Sequence, residues 1–97
     1  MPVTHPPAIT LEMLRIVGPH SVRSWRIGLS QLAEASEVSC RLVCESSDDI
    51  EILVESTRGR IERFGSDILH GALGYLPQYI EVRCPFSISY YRRSRDE

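Results

Sequence analysis

Apolar residues recur at two different spacings along this chain, and the changes of spacing divide it into six segments. Steps of two place alternate side chains on one face of a strand, and they occur over residues 9–17, 38–45, 50–55 and 79–91. Steps of three and four form one stripe along a helix, and they occur over residues 21–36 and 58–76. The pattern therefore predicts the order strand, helix, strand, strand, helix, strand.

This order of elements is typical of the ferredoxin-like superfold, a split βαβ repeat. Because crossovers between parallel strands are right-handed, both helices are expected on one face of the sheet. The predicted fold is an α+β ferredoxin-like βαββαβ sandwich, with a four-stranded antiparallel sheet in the order 4-1-3-2. We expect one globular domain over residues 9–91, between a proline-rich flexible arm, residues 1–8, and a charged tail, residues 92–97.

The first predicted strand carries apolar residues in both of its phases. Leu14 and Ile16 have the opposite phase to Ile9, Leu11 and Met13, as in a central strand with apolar contacts on both faces or in a bulged strand. We expect Leu14 and Ile16 on the open face of the sheet, in an apolar patch with a charged rim. Isolated apolar side chains on a surface are also common. The predicted interface residues are Leu14, Ile16, Val43 and Leu53.

Two of the three cysteines, Cys40 and Cys44, lie four residues apart in the second predicted strand. Four steps of about 3.3 Å separate their Cα atoms by about 13 Å, whereas a disulfide needs less than about 7 Å. One zinc ion, with its sulfur ligands at about 2.3 Å, could not bind both thiols either. The same spacing would bring them to one face of a helix, so the exclusion of a disulfide and of a zinc site depends on the assignment of this segment as a strand. We expect these two thiols and Cys84 to lie buried beneath the helices.

The sequence contains none of the motifs that mark the common catalytic and nucleotide sites. It has no GxSxG, P-loop, GxGxxG or HExxH, and the formal net charge of −2 provides no positive field for a nucleic acid. The open face of the predicted sheet also lacks the central aromatic residues that stack on RNA bases. We therefore predict a chain without catalytic residues, metal site, cofactor or nucleic-acid partner.

Two clusters nevertheless suggest an alternative function, the binding of an anionic ligand by a small regulatory domain. The stretch GPHSVR places His20, Ser21 and Arg23 at a predicted helix start, where free N–H groups favour anions. The second predicted helix begins with three arginines, which oppose its dipole: Arg58, Arg60 and Arg63. An ordinary helix cap and a solvated helix face would produce the same patterns.

The leading hypothesis is a non-catalytic protein–protein interaction or assembly domain. Its expected partner is a second copy of itself, bound through the open face of the sheet, or another protein. No apolar run approaches the roughly 20 residues of a membrane span, and the N-terminus lacks the features of a signal peptide. Three cysteines, an odd number, agree with a reducing compartment. We therefore expect a cytoplasmic protein that does not insert into membranes.

Overall fold

A computed structural model of the protein describes residues 8–20, 23–84 and 87–93, and for Cys84 the backbone alone. Within these ranges, five strands and two helices follow one another in chain order. They are β1 (Ile9–Val17), α1 (Trp25–Ala35), β2 (Ser39–Glu45), β3 (Asp49–Thr57), α2 (Arg58–Leu69), β4 (Tyr79–Cys84) and β5 (Ser87–Tyr91).

The strands form one antiparallel sheet in the order β2-β3-β1-β4-β5. The predicted α+β class is confirmed, but the predicted number of four strands is wrong. The last predicted strand, residues 79–91, folds back on itself, so that Cys84 pairs with Ser87. A two-residue connection preserves the alternation of apolar residues, which is why the pattern did not reveal the turn. The fifth strand lies at the outer edge of β4, and the other four keep their predicted neighbours.

Both helices cover the same face of the sheet and share one core with it. The strands contribute Leu14, Ile16, Ile50, Ile52, Val54, Ile80 and Val82, and the helices contribute Trp25, Leu29, Ala33, Ile61, Phe64, Ile68 and Leu69. Each large side chain removed from water in this way stabilises the fold by about 1.5–3 kcal/mol. The opposite face of the sheet, which we call the open face, carries no helix within the described residues.

The phase of β1 is the reverse of the prediction. Leu14 and Ile16 have no exposed surface, and Leu14 pairs with Ile52 on one side and Val82 on the other, both of which face the helices. Their expected position on the open face is therefore wrong. Both phases of β1 are apolar, so its local pattern could not distinguish the two faces, whereas its pairing with β3 and β4 does.

Individual residues explain where α2 begins and where it ends. Thr57 precedes the helix with an extended backbone, and its Oγ1 accepts a hydrogen bond from the N–H of Arg60 at 3.3 Å, as an N-cap residue does. The helix ends at Leu69, earlier than the predicted residue 76, because the chain then turns through Gly71 and Gly74 at φ values of 99° and 94°.

The start of α1 differs from the prediction. The helix begins at Trp25, with Ser24 at the cap position and no side-chain cap. Ser21, which the sequence places at the predicted helix start, lies outside the described residues. Within the described ranges, neither helix has the length and apolar character to cross a membrane.

The segment after β5 contacts the end of α2. The guanidinium of Arg93 donates from Nη1 to the carbonyl of Leu69 at 2.9 Å and also to the carbonyl of Pro77. Arg92 lies over the rings of Tyr79 and Tyr90, at 5.3 and 5.4 Å from their centroids. Structured contacts therefore extend two residues beyond the last strand.

Candidate protein-interaction surfaces

The open face carries an uncovered group of apolar side chains, which we call the apolar stripe. Its members are Ile9, Leu11, Met13, Leu53 and Ile88. Met13 pairs directly with Leu53, whereas Arg83 of β4 lies between Met13 and Ile88. Ile9, Leu11 and Ile88 are 61%, 51% and 59% exposed. The stripe occupies the end of the sheet where β1 begins, and it resembles the small apolar centres of association surfaces.

The other half of the open face is an ion-pair network around Arg15. Its guanidinium Nε lies 2.7 Å from Asp49 Oδ2, and its Nη1 lies 3.8 Å from Glu81 Oε2. Ser46 Oγ donates to the second oxygen of Asp49 at 2.7 Å. This hydrogen bond and the one from Arg15 lower the pKa of Asp49 below its usual range. Asp49 is therefore ionised at neutral pH and cannot serve there as a general acid.

The four predicted interface residues separate into three environments. Leu53 lies in the apolar stripe, opposite Met13. Val43 lies on the edge strand β2, where it is 48% exposed, and Leu14 and Ile16 lie in the core. The sequence therefore indicated one member of the stripe, and it missed Ile88 because β5 was not recognised as a separate strand.

A bulge in β2 separates the two cysteines that the strand carries. Leu42 pairs with Ile52 and Cys44 with Glu51, so the register skips Val43. This extra residue reverses the phase of the strand, which places Cys40 on the helix side, partly buried, and Cys44 on the open face, exposed. The prediction that all the thiols are buried beneath the helices is wrong for Cys44, and the side chain of Cys84 lies outside the described part. In the described residues there is no group of three or more potential metal ligands among His, Cys, Asp and Glu.

The two thiols of β2 should react with a thiol reagent at very different rates. Burial raises the pKa of Cys40 to about 11, and desolvation followed by the charge of Glu51 raises the pKa of Cys44. The thiolate is the nucleophile, so labelling of both is slow at pH 7 and accelerates as the pH rises. In a Cys84→Ser background, we expect exposed Cys44 to react roughly tenfold or more faster than Cys40. Stopped-flow labelling with a disulfide reagent measures both phases.

Two matched variants assign these phases. Cys44→Ser should remove the fast phase and leave the slow one, and Cys40→Ser should do the reverse. A fast phase that survives in Cys44→Ser would contradict the bulge and the exposure that it gives to Cys44.

A second uncovered area lies between α1 and the edge strand β2, and we call it the flank groove. It has a volume of about 440 Å³ and is lined by Trp25, Arg26, Leu29, Ser30, Ala33, Glu34, Val38, Cys40 and Leu42. Within the described sheet β2 pairs with β3 alone, so the main-chain groups along its other edge are available for pairing. The groove was not predicted from the sequence, although residues 26, 30 and 34 have the spacing of one helix side.

Arg26 forms one end of the flank groove. Its Nη2 makes an ion pair with Oε1 of Glu45, at the end of β2, and its guanidinium lies 5.4 Å from the centre of the Trp25 ring. These contacts hold the arginine at the mouth of the groove. Its side chain remains 61% exposed, so part of its hydrogen-bonding capacity faces solvent.

His20, from the first predicted anion cluster, lies where β1 ends. Its Nε2 donates to the carbonyl of Ser46 at 2.5 Å, and its ring packs edge-on against Trp25 at 5.5 Å. Arg23 is exposed, and Ser21 lies outside the described residues. The ring of His20 therefore ties the β1–α1 connection to the β2–β3 turn.

The arginines of the second predicted cluster lie at the opposite end of the sheet, where β3 ends and α2 begins. Arg60 pairs with Glu37 at 2.7 Å and Arg58 with Glu62 at 3.9 Å, and Arg63 is exposed. The structure does not bring the two predicted clusters together, and anion binding at either one stays a prediction.

No model of a protein family matches the chain, and no curated protein matches it.

Proposed function

We propose that this chain is a non-catalytic protein–protein interaction domain, with a ferredoxin-like arrangement extended by one edge strand, that assembles with a second copy of itself. The observation that carries the proposal is the apolar surface left uncovered at the stripe and at the flank groove, while the chain already buries a complete core. Exposed apolar side chains grouped beside charged residues are typical of association sites.

The arrangement of charged groups supports a binding role over a catalytic one. The charged groups of the open face form ion pairs with one another: Arg15 pairs with Asp49 and Glu81, and Arg83 pairs with Glu81. The flank groove is lined mainly by apolar side chains, and the lowered pKa of Asp49 belongs to a group held by two hydrogen bonds. Perturbed acids or bases that converge in a cleft are the usual signal of catalysis, and these groups do not form such a cleft.

Light scattering coupled to size-exclusion chromatography tests the proposal. The monomer mass is 11.0 kDa, and we expect the measured mass to approach twice this value as the protein concentration rises through the micromolar range. A mass that stays at the monomer value up to millimolar protein would reject self-assembly.

A further inference from the structure

One side of α1 carries a short polar strip with opposite charges at its two ends. Arg26, Ser30 and Glu34 follow one another at steps of four residues and line the flank groove, so they lie on one side of the helix. Ser30, a small residue, is at the centre. Arg26 and Glu34 are about 12 Å apart along the axis, at a rise of 1.5 Å per residue, and they do not form an ion pair with each other.

This strip is complementary to itself under a two-fold rotation. In a two-fold interface, residue i of one subunit contacts residue j of the other and residue j contacts residue i. An axis through Ser30 would place two α1 helices antiparallel, with Arg26 opposite Glu34 of the partner subunit, and Glu34 opposite Arg26 of the partner subunit. The small central side chain would allow the helix axes to approach to about 8–10 Å.

The edge strand β2 carries an apolar residue, Leu42, at the same height along the flank as Ser30 of α1. The ion pair between Arg26 and Glu45 joins the start of α1 to the end of β2, and the groove continues to Glu34 and Val38, where β2 begins. Leu42 therefore lies roughly level with Ser30. It faces the helix side because it pairs with buried Ile52, yet it is 39% exposed.

An axis at this level would also pair the free edges of two β2 strands. Leu42 would meet Leu42 of the partner subunit above the helix-side surface of a continuous ten-stranded sheet, and both grooves would be filled. Backbone pairing along an exposed edge is an established mode of recognition. The bulge at Val43 limits the regular ladder to a few residues.

Charge balance and size support a reversible dimer at this flank. Arg26, Arg41, Glu34 and Glu45 give this side no net charge, so electrostatic repulsion does not oppose its pairing with itself. The strand spans about 23 Å and the helix about 16 Å, which gives a contact near the small end of specific interfaces, whose standard size is about 800 Å² per partner.

We propose that the flank formed by α1 and β2 is the surface through which the chain binds its second copy, about a two-fold axis near Ser30 and Leu42. This inference rests on the proposed function and names the surface that performs it. The reciprocal contacts between Arg26 and Glu34 select the antiparallel arrangement.

Charge reversal tests the pairing. Arg26→Glu and Glu34→Arg each place like charges opposite one another, and we expect each to raise the dimer dissociation constant about tenfold or more. The double variant restores opposite charges across the axis in exchanged positions, so it should dimerise more tightly than either single variant. It does not recover the original constant fully, because it still lacks the ion pair of Arg26 with Glu45 of the same subunit. Sedimentation equilibrium measures all four proteins, and circular dichroism checks that each is folded. Single reversals without effect, or a double variant no tighter than the singles, would overturn the pairing.

Cross-linking tests the position of the axis. In a background with Cys40, Cys44 and Cys84 replaced by serine, Leu42→Cys should form a covalent dimer under mild oxidation, since facing residues of paired strands have Cα atoms about 4.5–5.5 Å apart. Leu53→Cys, on the open face, is the matched control and should stay monomeric on a denaturing gel. Cross-linking of the control instead of Leu42→Cys would reject the axis.

The two proposals fail in different ways. A wild-type chain that stays monomeric at every concentration rejects self-assembly itself. A wild-type dimer that Leu53→Asp dissociates, while both charge reversals leave it intact, preserves the proposed function and moves the contact to the open face.

Discussion

Replacing Leu14 by alanine is expected to lower the free energy of unfolding by about 3–5 kcal/mol. Leu14 lies on the central strand β1, is fully buried and faces the helices between Ile52 and Val82. The substitution removes three methylene-sized groups and leaves a cavity that the neighbouring strands cannot easily close. Since small domains are stable by about 5–15 kcal/mol in total, this variant should unfold at a much lower urea concentration.

The next residue towards the N-terminus provides the matched control. Met13 faces the open side, opposite Leu53 and Arg83, and we expect Met13→Ala to cost less than about 1 kcal/mol. Urea denaturation followed by circular dichroism compares the two variants. If Met13→Ala is the more damaging substitution, β1 has the opposite phase, with Met13 and not Leu14 facing the helices.

A second pair of variants, both on α2, is expected to shift stability in opposite directions. A Cβ atom added at Gly65 would lie 2.7 and 2.9 Å from two ring carbons of Tyr91, whereas one added at Gly59 would meet nothing within 4 Å. Overpacking typically costs about 1–3 kcal/mol, against a gain of about 1 kcal/mol from alanine in a helix interior. We expect Gly65→Ala to destabilise the protein by up to about 2 kcal/mol.

Gly59→Ala should instead stabilise the protein by about 0.4–1 kcal/mol, chiefly because it restricts the unfolded chain. Thermal unfolding gives both values, and the combination of Gly65→Ala with Tyr91→Ala shows the cause. Removing the ring should abolish most of the penalty at Gly65. If the penalty persists without the ring, the packing of β5 against α2 is not its source.

The sequence predicted correctly those elements whose apolar residues follow one spacing and therefore mark one buried face. Alternation over residues 50–55 identified β3, because Ile50, Ile52 and Val54 face the core while Glu51 and Glu55, with Leu53 between them, lie on the open face. The helical spacing of Ile61, Phe64 and Ile68 identified α2 in the same way, and all three are fully buried. Where one face is apolar and the other polar, the chain has one way to bury its apolar groups.

The errors occur where tertiary contacts decide between two equivalent local patterns. Both phases of β1 are apolar, so only pairing distinguishes Leu14 from Met13. The bulge at Val43 inserts one residue without changing the composition of β2, and it carries Cys44 to the other face. The turn between β4 and β5 preserves the alternation on either side of it.

The candidate surfaces were less predictable than the fold, because each combines residues from elements distant in sequence. The apolar stripe combines residues of β1, β3 and β5, with Arg83 of β4 between Met13 and Ile88, and the flank groove combines a helix side with a strand edge. The spacing of Arg26, Ser30 and Glu34 is visible in the sequence, but its meaning depends on the free edge beside it.

The contacts of Arg93 determine where a tag or fusion protein can be attached. Its guanidinium satisfies the carbonyl of Leu69, at the end of α2, and that of Pro77, just before β4, and helix-end carbonyls have no donor within their own helix. A recombinant version cut after Tyr91 would lose both bonds together with the stacking of Arg92 on two tyrosine rings. Linkers for biosensors or affinity handles should therefore start after residue 93, where they leave the contacts of Arg92 and Arg93 intact.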